Sequence, residues 1–193
     1  MKNYYIFLSG MRKDLTLVET VIVFSLLTII VGITYGVLRA NQITDQTAHV
    51  TLSLYQEAKR ISDEITEKLS ASSFNHISIQ DTNPDEIIFQ IPIDVATFTG
   101  KPTWGAFWEG AIFSGDYFRY YVENNYLKKE IVDNTLSRVC GPKVIAQYVK
   151  DLQIEHPLNT NYLKINITLE KNILFSNRKI EHKTEIKIYP QNQ

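Results

Sequence analysis

The chain has 193 residues with 20 Lys/Arg against 21 Asp/Glu, a net charge of -1, and one cysteine. A near-neutral chain offers no basic face for nucleic acid, and a lone Cys140 closes no intrachain disulfide and suggests no zinc site. The length suits an apolar anchor followed by one globular domain with a real core.

Residues 1–14 form a short segment bearing Lys2, Arg12 and Lys13. Residues 15–38, LTLVETVIVFSLLTIIVGITYGVL, then carry a single charge, Glu19. As a helix this run spans about 36 Å, enough to cross a bilayer. It is longer than a signal-peptide core and no A-x-A-like site follows, so it reads as a retained membrane anchor. Basic residues ahead of it favour a cytoplasmic N-terminus with the remainder outside the cytoplasmic membrane. An acid inside such a span points to function, against the plainer reading that Glu19 snorkels to the headgroups. Gly32 and Gly36 form a G-x-x-x-G pair, a possible helix-pairing face.

The stretch Met11 to Glu19, MRKDLTLVE, resembles the start of type IV prepilins and type II secretion pseudopilins. That family has a short basic leader, a glycine, then Phe-Thr-Leu-Ile-Glu and an apolar helix. Leu15, Thr16, Leu17, Val18 and Glu19 align with the motif without a gap. The resemblance implies that Glu19 pairs with the N-terminal amine of a neighbouring subunit in a filament, and that the leader is cut by prepilin peptidase. Asp14 stands where the family has glycine, which leaves cleavage and N-methylation open. Cutting after Gly10 instead would put Glu19 at the ninth position of the product, and Met11 is an alternative start.

From residue 39 to 73 there is no Gly or Pro. Ile43, Thr47, Val50, Leu54, Ala58, Ile61, Ile65, Leu69 and Ser72 recur at three- or four-residue steps, one face of a helix. A single helix is expected from about Thr16 to about Ser73, apolar in its first half and amphipathic in its second. The second half needs a surface to pack on.

Beyond Ser73, in residues 74–193, the period changes to two. Ile87, Phe89, Ile91 and Ile93 read as one strand, with Pro92 marking an edge or an end. Phe118–Glu123, a turn at Asn124-Asn125 and Tyr126–Val132 read as a hairpin. Lys143–Lys150 reads as a helical turn or a strand entry. Leu152 and Ile154 lie in a short strand ended by Pro157. Leu163, Ile165, Ile167 and Leu169 form the cleanest strand, and residues 179–189 close the sheet. An apolar helix stripe followed by an antiparallel sheet with one apolar face is an α+β arrangement, helix on sheet. The pilin-like family has this architecture. The hairpin YYVENNYL, then Arg138 and Val149-Lys-Asp-Leu-Gln-Ile154, is similar to J-type minor pseudopilins and W-type minor pilins.

No nucleophile elbow, Gly-rich phosphate loop or H-E-x-x-H is present, and His49, His76, His156 and His182 lack ligand spacing. Asp81–Asp85 imitates the opening of a calcium loop but lacks the glycine and the closing glutamate, so a polar turn is expected. Asn166-Ile-Thr168 fits a glycosylation sequon inside a strand. Phe98–Phe118 is rich in aromatics and glycines and reads as a long loop over the core; Trp104, Phe107 and Trp108 are its candidates for partner contact. Cys140-Gly-Pro reads as a turn. The expectation is a non-enzymatic, cofactor-free filament subunit that meets other pilin-like subunits through its N-terminal helix, single-pass in the inner membrane. The alternative is a signal-anchored exported enzyme or ligand-binding domain.

Overall fold

The computed structural model describes residues 16–94, 102–174 and 178–191. Gly10, Asp14 and Leu15 lie outside the described residues, as do Phe98 and Gly100. One helix, α1, runs Leu17–Ser70. It passes through two compact units, residues 1–45 and 46–193.

In the first unit every described residue from Thr16 to Gln42 is exposed, including the whole apolar run. The helix is long and apolar enough to cross a membrane. Its few hydroxyls turn back on their own backbone. Ser25 Oγ donates to Val21 O, Thr28 Oγ1 to Phe24 O and Thr34 Oγ1 to Ile30 O, each at 2.8 Å. No side-chain hydroxyl of these three needs water, which suits an apolar surround.

In the second unit α1 buries one stripe: Leu54, Ala58, Ile61, Ile65 and Leu69. The helix ends at Ser70, three residues before the expected boundary, and a 3-10 turn at Phe74–His76 follows. Eleven strands then succeed one another among the described residues: β1 Ile77–Gln80, β2 Glu86–Phe89, β3 Ile91–Asp94, β4 Thr103–Trp108, β5 Ala111–Ser114, β6 Tyr117–Glu123, β7 Tyr126–Val132, β8 Arg138–Gln147, β9 Val149–Glu155, β10 Leu163–Asn172 and β11 Lys179–Ile188. They form sheets of order β1-β2-β6-β7-β8, β11-β10-β9 and β3-β4-β5. Every pairing is antiparallel. The helix stripe shares one core with Phe89, Phe118, Tyr120, Leu127 and Ile131 of the first sheet and with Leu152, Leu163, Ile165, Ile167 and Leu169 of the second. The coarse α+β expectation, a long helix with antiparallel sheets, therefore holds.

The strand expectations hold where alternation is strict. β10 buries Leu163, Ile165, Ile167 and Leu169 and half-exposes the residues between them. Asn124 and Asn125 take φ of 53° and 63°, the left-handed pair that a two-residue hairpin turn requires. Pro92 sits in β3, at an edge of its sheet.

Three expectations are corrected, and one left open is decided. The alternating run 87–93 is two strands in different sheets, because the backbone of Gln90 is taken up elsewhere: its carbonyl accepts from Ser72 Oγ at 2.6 Å and its N–H donates to His76 O at 3.1 Å. The described part of the expected Phe98–Phe118 loop is strands β4 and β5 plus the start of β6. Gly105 lets β4 and β5 close up, since a Cβ there would overlap the carbonyl oxygen of Phe113. Cys140-Gly-Pro lies inside β8 and is no turn between elements. Gly141, at φ 102°, makes an irregularity opposite Glu130 that keeps the ladder paired on both sides. Of the two readings of Lys143–Lys150 the strand holds: Lys143–Gln147 continues β8, and the chain kinks at Tyr148, φ 65°, into β9.

Candidate functional site

The first candidate surface is the beginning of α1. Thr16 precedes the helix and Glu19 lies in its first turn. Glu19 Oε2 accepts from Thr16 N at 2.8 Å and from Thr16 Oγ1 at 3.0 Å, and Thr16 Oγ1 lies 3.3 Å from Glu19 N. This is a reciprocal capping box, T-x-x-E, in which the two residues satisfy each other's orphan groups. Both bonds use one carboxylate oxygen, so Oε1 faces solvent without a hydrogen bond from Thr16. Leu17 and Val18 are exposed. The box is written in the sequence, but there it is overlaid by the prepilin-like motif that uses the same letters.

The second candidate surface is the aromatic sheet β3-β4-β5, and its three residues differ in kind. Trp104 lies flat against His76, ring centres 3.9 Å apart and planes 13° from parallel. His76 Nδ1 is 3.0 Å from Gln90 Oε1, and Gln90 Nε2 donates to Gly115 O at 2.9 Å. Trp104 thus fastens this sheet to the turn after α1. Trp108 packs on the core, with Lys129 Nζ 5.7 Å from its ring centre. Phe107 points outward, 49% exposed, directly opposite Ile112 on β5. Of the three aromatic candidates, Phe107 presents the freest ring.

Two charged clusters were not singled out from sequence. On β7, Glu130 is 1% exposed. Its carboxylate accepts from Arg119 Nη1 at 3.1 Å, Arg138 Nε at 2.6 Å and Tyr121 Oη at 3.3 Å. Arg119 also holds Glu86 at 2.7 Å, so the chain of charges is neutral overall. Burial first, then the Glu130 charge, pushes the Tyr121 hydroxyl up. On the helix side, Glu64 accepts from Tyr120 Oη at 3.0 Å and is bonded by Lys129 Nζ. Burial pushes the Glu64 carboxyl up, but the hydrogen bond and charge of Lys129, with the Tyr120 hydroxyl, outweigh it and hold it below its ordinary value. Burial, followed by Glu64, raises Tyr120 well above the usual phenol range. These groups are consumed by their own pairings, and they fix α1 in register on β6 and β7.

Asp85 of the calcium-like stretch is also used structurally: its Oδ2 accepts from Ile154 N at 2.7 Å and its N–H donates to Leu152 O at 2.9 Å. Among the described residues no group of three or more His, Cys, Asp or Glu is arranged to hold a metal. His156 stacks on Phe74 and His182 meets Tyr55 edge-on.

An ion-pair ladder covers the outer face of the second sheet. Lys150 Nζ bonds Glu170 at 2.8 Å, and Lys179 reaches the same carboxylate at 2.6 Å. These two hydrogen bonds hold the Glu170 carboxyl down to about 2, below its ordinary 4.5. A carboxylate with a depressed folded-state value adds stability above about pH 4.5 that is lost as pH falls toward 2. Glu170→Gln should therefore lower the melting temperature at pH 6, with the gap to the parent closing near pH 2. Thermal unfolding across that range reads it, and a gap independent of pH would contradict the assignment.

Comparison with protein-family models, with curated proteins and with solved structures finds no match.

Proposed function

We propose that this chain is a minor pilin or pseudopilin: a membrane-anchored structural subunit that joins, or sits at the tip of, a type II secretion pseudopilus or type IV pilus-like filament. The observation that carries the reading is the single helix α1, which begins with a Thr16–Glu19 cap, exposes a long, predominantly apolar run, and then buries a stripe against antiparallel sheets. Such a chain stores the first half of its long helix in lipid and can exchange lipid for the helices of neighbouring subunits without altering the folded domain. No reaction is assigned to it, and no cofactor. Its partners are other pilin-like subunits and, where the Asp14 junction is accepted, prepilin peptidase. Its place is the inner membrane, N-terminus in the cytoplasm and folded domain outside, with the assembled filament in the periplasm or beyond the cell.

In a helix bundle the Glu19 charge needs a partner, since an uncompensated buried charge is expensive. The uncapped oxygen Oε1 is the atom available to a neighbour's amine, or to its Arg12 or Lys13 where the leader is retained. Glu19→Gln keeps the capping box, which accepts Glu or Gln, but removes the charge. Both Glu19→Ala and Glu19→Gln should leave membrane insertion and the folded domain intact and reduce co-purification with other pilin-like subunits several-fold. Loss in Ala but not in Gln would reduce Glu19 to a helix cap. Unchanged yield in both would leave it a tolerated interfacial acid and remove the main support for the subunit reading.

A further inference from the structure

β11, Lys179–Ile188, ends the order β11-β10-β9, and among the described residues no strand pairs with its other side. It matches β10 residue for residue along its whole length without a break in register. The other sheet edges are short or blunted. β1, β3 and β5 have 4 residues each. β8 carries Pro142 and several breaks in register. β9 is broken beside Leu169, and Asp85 takes up its Leu152 carbonyl and Ile154 N–H. Shortness, a proline, a break or a cap keeps an edge from pairing with another chain, and β11 has none of them. Its two faces specify what can be added. On the core side His182, Thr184 and Ile186 are half-buried, whereas Leu169, Ile167 and Ile165 opposite them on β10 are buried. Tyr55 of α1, 57% exposed, meets His182 edge-on with ring centres 6.0 Å apart, so the helix flank reaches this edge. The outer side carries Lys179, Glu181, Lys183, Glu185 and Lys187, alternating in sign. Lys179 is bound to Glu170, Glu181 to Lys150, and Glu185 to Lys164 and Lys187. Lys183 has no ion pair among the described residues, and the residue across from it on β10 is the uncharged Thr168.

We propose that β11 accepts an antiparallel strand from a partner polypeptide, alternating in apolar and charged residues, with a carboxylate opposite Lys183 and bases on either side of it reaching Glu181 and Glu185. Main-chain hydrogen bonds along the edge supply the affinity, and the two faces of the strand supply the specificity. A slip by one residue turns the apolar side of the strand to water. A slip by two sets a base against Lys183, and like charges directly opposite are unfavourable. A foreign strand suits the edge better than β11 of a second copy. The second copy offers Lys183 only Glu181 or Glu185, and each of these is already held by lysines of its own chain. The inference concerns the folded unit alone and stands apart from the filament-subunit reading.

The probe is the peptide Thr-Val-Lys-Val-Glu-Val-Lys-Val-Thr, fluorescently labelled and titrated with the full chain in detergent micelles. Successive amides of a strand point to opposite edges, so N-methyl groups on the valines block one edge and N-methyl groups on the charged residues block the other. Either set also keeps the peptide from pairing with itself. One methylated form should bind and the other should not. Binding should slow hydrogen exchange in β11 and leave the β8 edge unchanged. Lys183→Glu should weaken binding several-fold. Replacing the glutamate of the peptide by lysine should restore binding to that variant and weaken binding to the parent. Equal binding of both methylated forms, or binding of neither, would overturn the strand pairing. Binding indifferent to Lys183→Glu would overturn the chemistry assigned to the partner. A concentration-dependent dimer of the full chain that Lys183→Glu disperses, read by sedimentation, would give the edge to a second copy and overturn the partner strand.

Discussion

Leu54→Asp should strongly destabilise the second unit. Leu54 is completely buried in the shared core, where α1 meets the sheets. Removing its packing costs about 2–5 kcal/mol, and placing an unpaired carboxylate there adds to it. Against a total of about 5–15 kcal/mol for a domain, that is a large share. At roughly 2–4 °C per kcal/mol for a chain of this size, the melting temperature should fall by about 10 °C or more. Leu52, two residues away and 54% exposed, supplies the control. Leu52→Asp changes charge and hydrophobicity by the same amount but should stay within about 0.5 kcal/mol. If both variants melt together, the stripe is not what holds helix to sheet.

Glu130→Ala should be the most damaging change outside the apolar core. It leaves Arg119, Arg138 and Tyr121 without their shared acceptor. Breaking a buried pair from one side typically costs about 3–5 kcal/mol. The loss here belongs at the lower end, about 3 kcal/mol, because Arg119 keeps Glu86 and the Arg138 side chain, 55% exposed, can turn to water. Glu130→Gln, which keeps one acceptor oxygen, should lose about half as much. Denaturant unfolding gives both numbers. Glu130→Met adds a sharper comparison: if it is as stable as the parent, the cluster specifies strand register without stabilising the fold.

The two clusters also explain why part of the arrangement was not foreseen. The Asn124-Asn125 turn was legible, and counting outward from it places Glu130 opposite Arg119, as observed. Nothing in β7 itself shows that Glu130 is buried, because an acid between Lys129 and Ile131 reads as a solvent-facing strand position. Its burial comes from β8. Arg138 reaches it along the ladder, and Gly141 brings the backbone against its Cβ, at 3.0 Å from where a glycine side chain would begin. That strand was itself hidden, because Gly141-Pro142 has the letters of a turn. Likewise Trp104, Phe107 and Trp108 look alike as aromatic residues in a glycine-rich stretch. Only the pairing of β4 between β3 and β5, and the position of His76, separates the ring facing outward from the two that are packed.

What the chain by itself determined was everything carried by local periodicity. The apolar run, the change from a uniform to a one-sided helix, the 3.6-to-2 switch after Ser73, the β10 alternation and the hairpin turn all follow from side-chain spacing and backbone preference. They require no knowledge of a partner segment. What the tertiary structure decided was which strands pair, which polar residues are buried, and which equal-looking residues face out. Gln90 divides one alternating run between two sheets because Ser72 and His76, 18 and 14 residues earlier, take its backbone and side-chain groups. The end of β10 lies beside Gln46 because strands β9, β10 and β11 fold their apolar face over the same helix. Such contacts join residues far apart in the chain, and no window of neighbouring residues contains the energy that selects them.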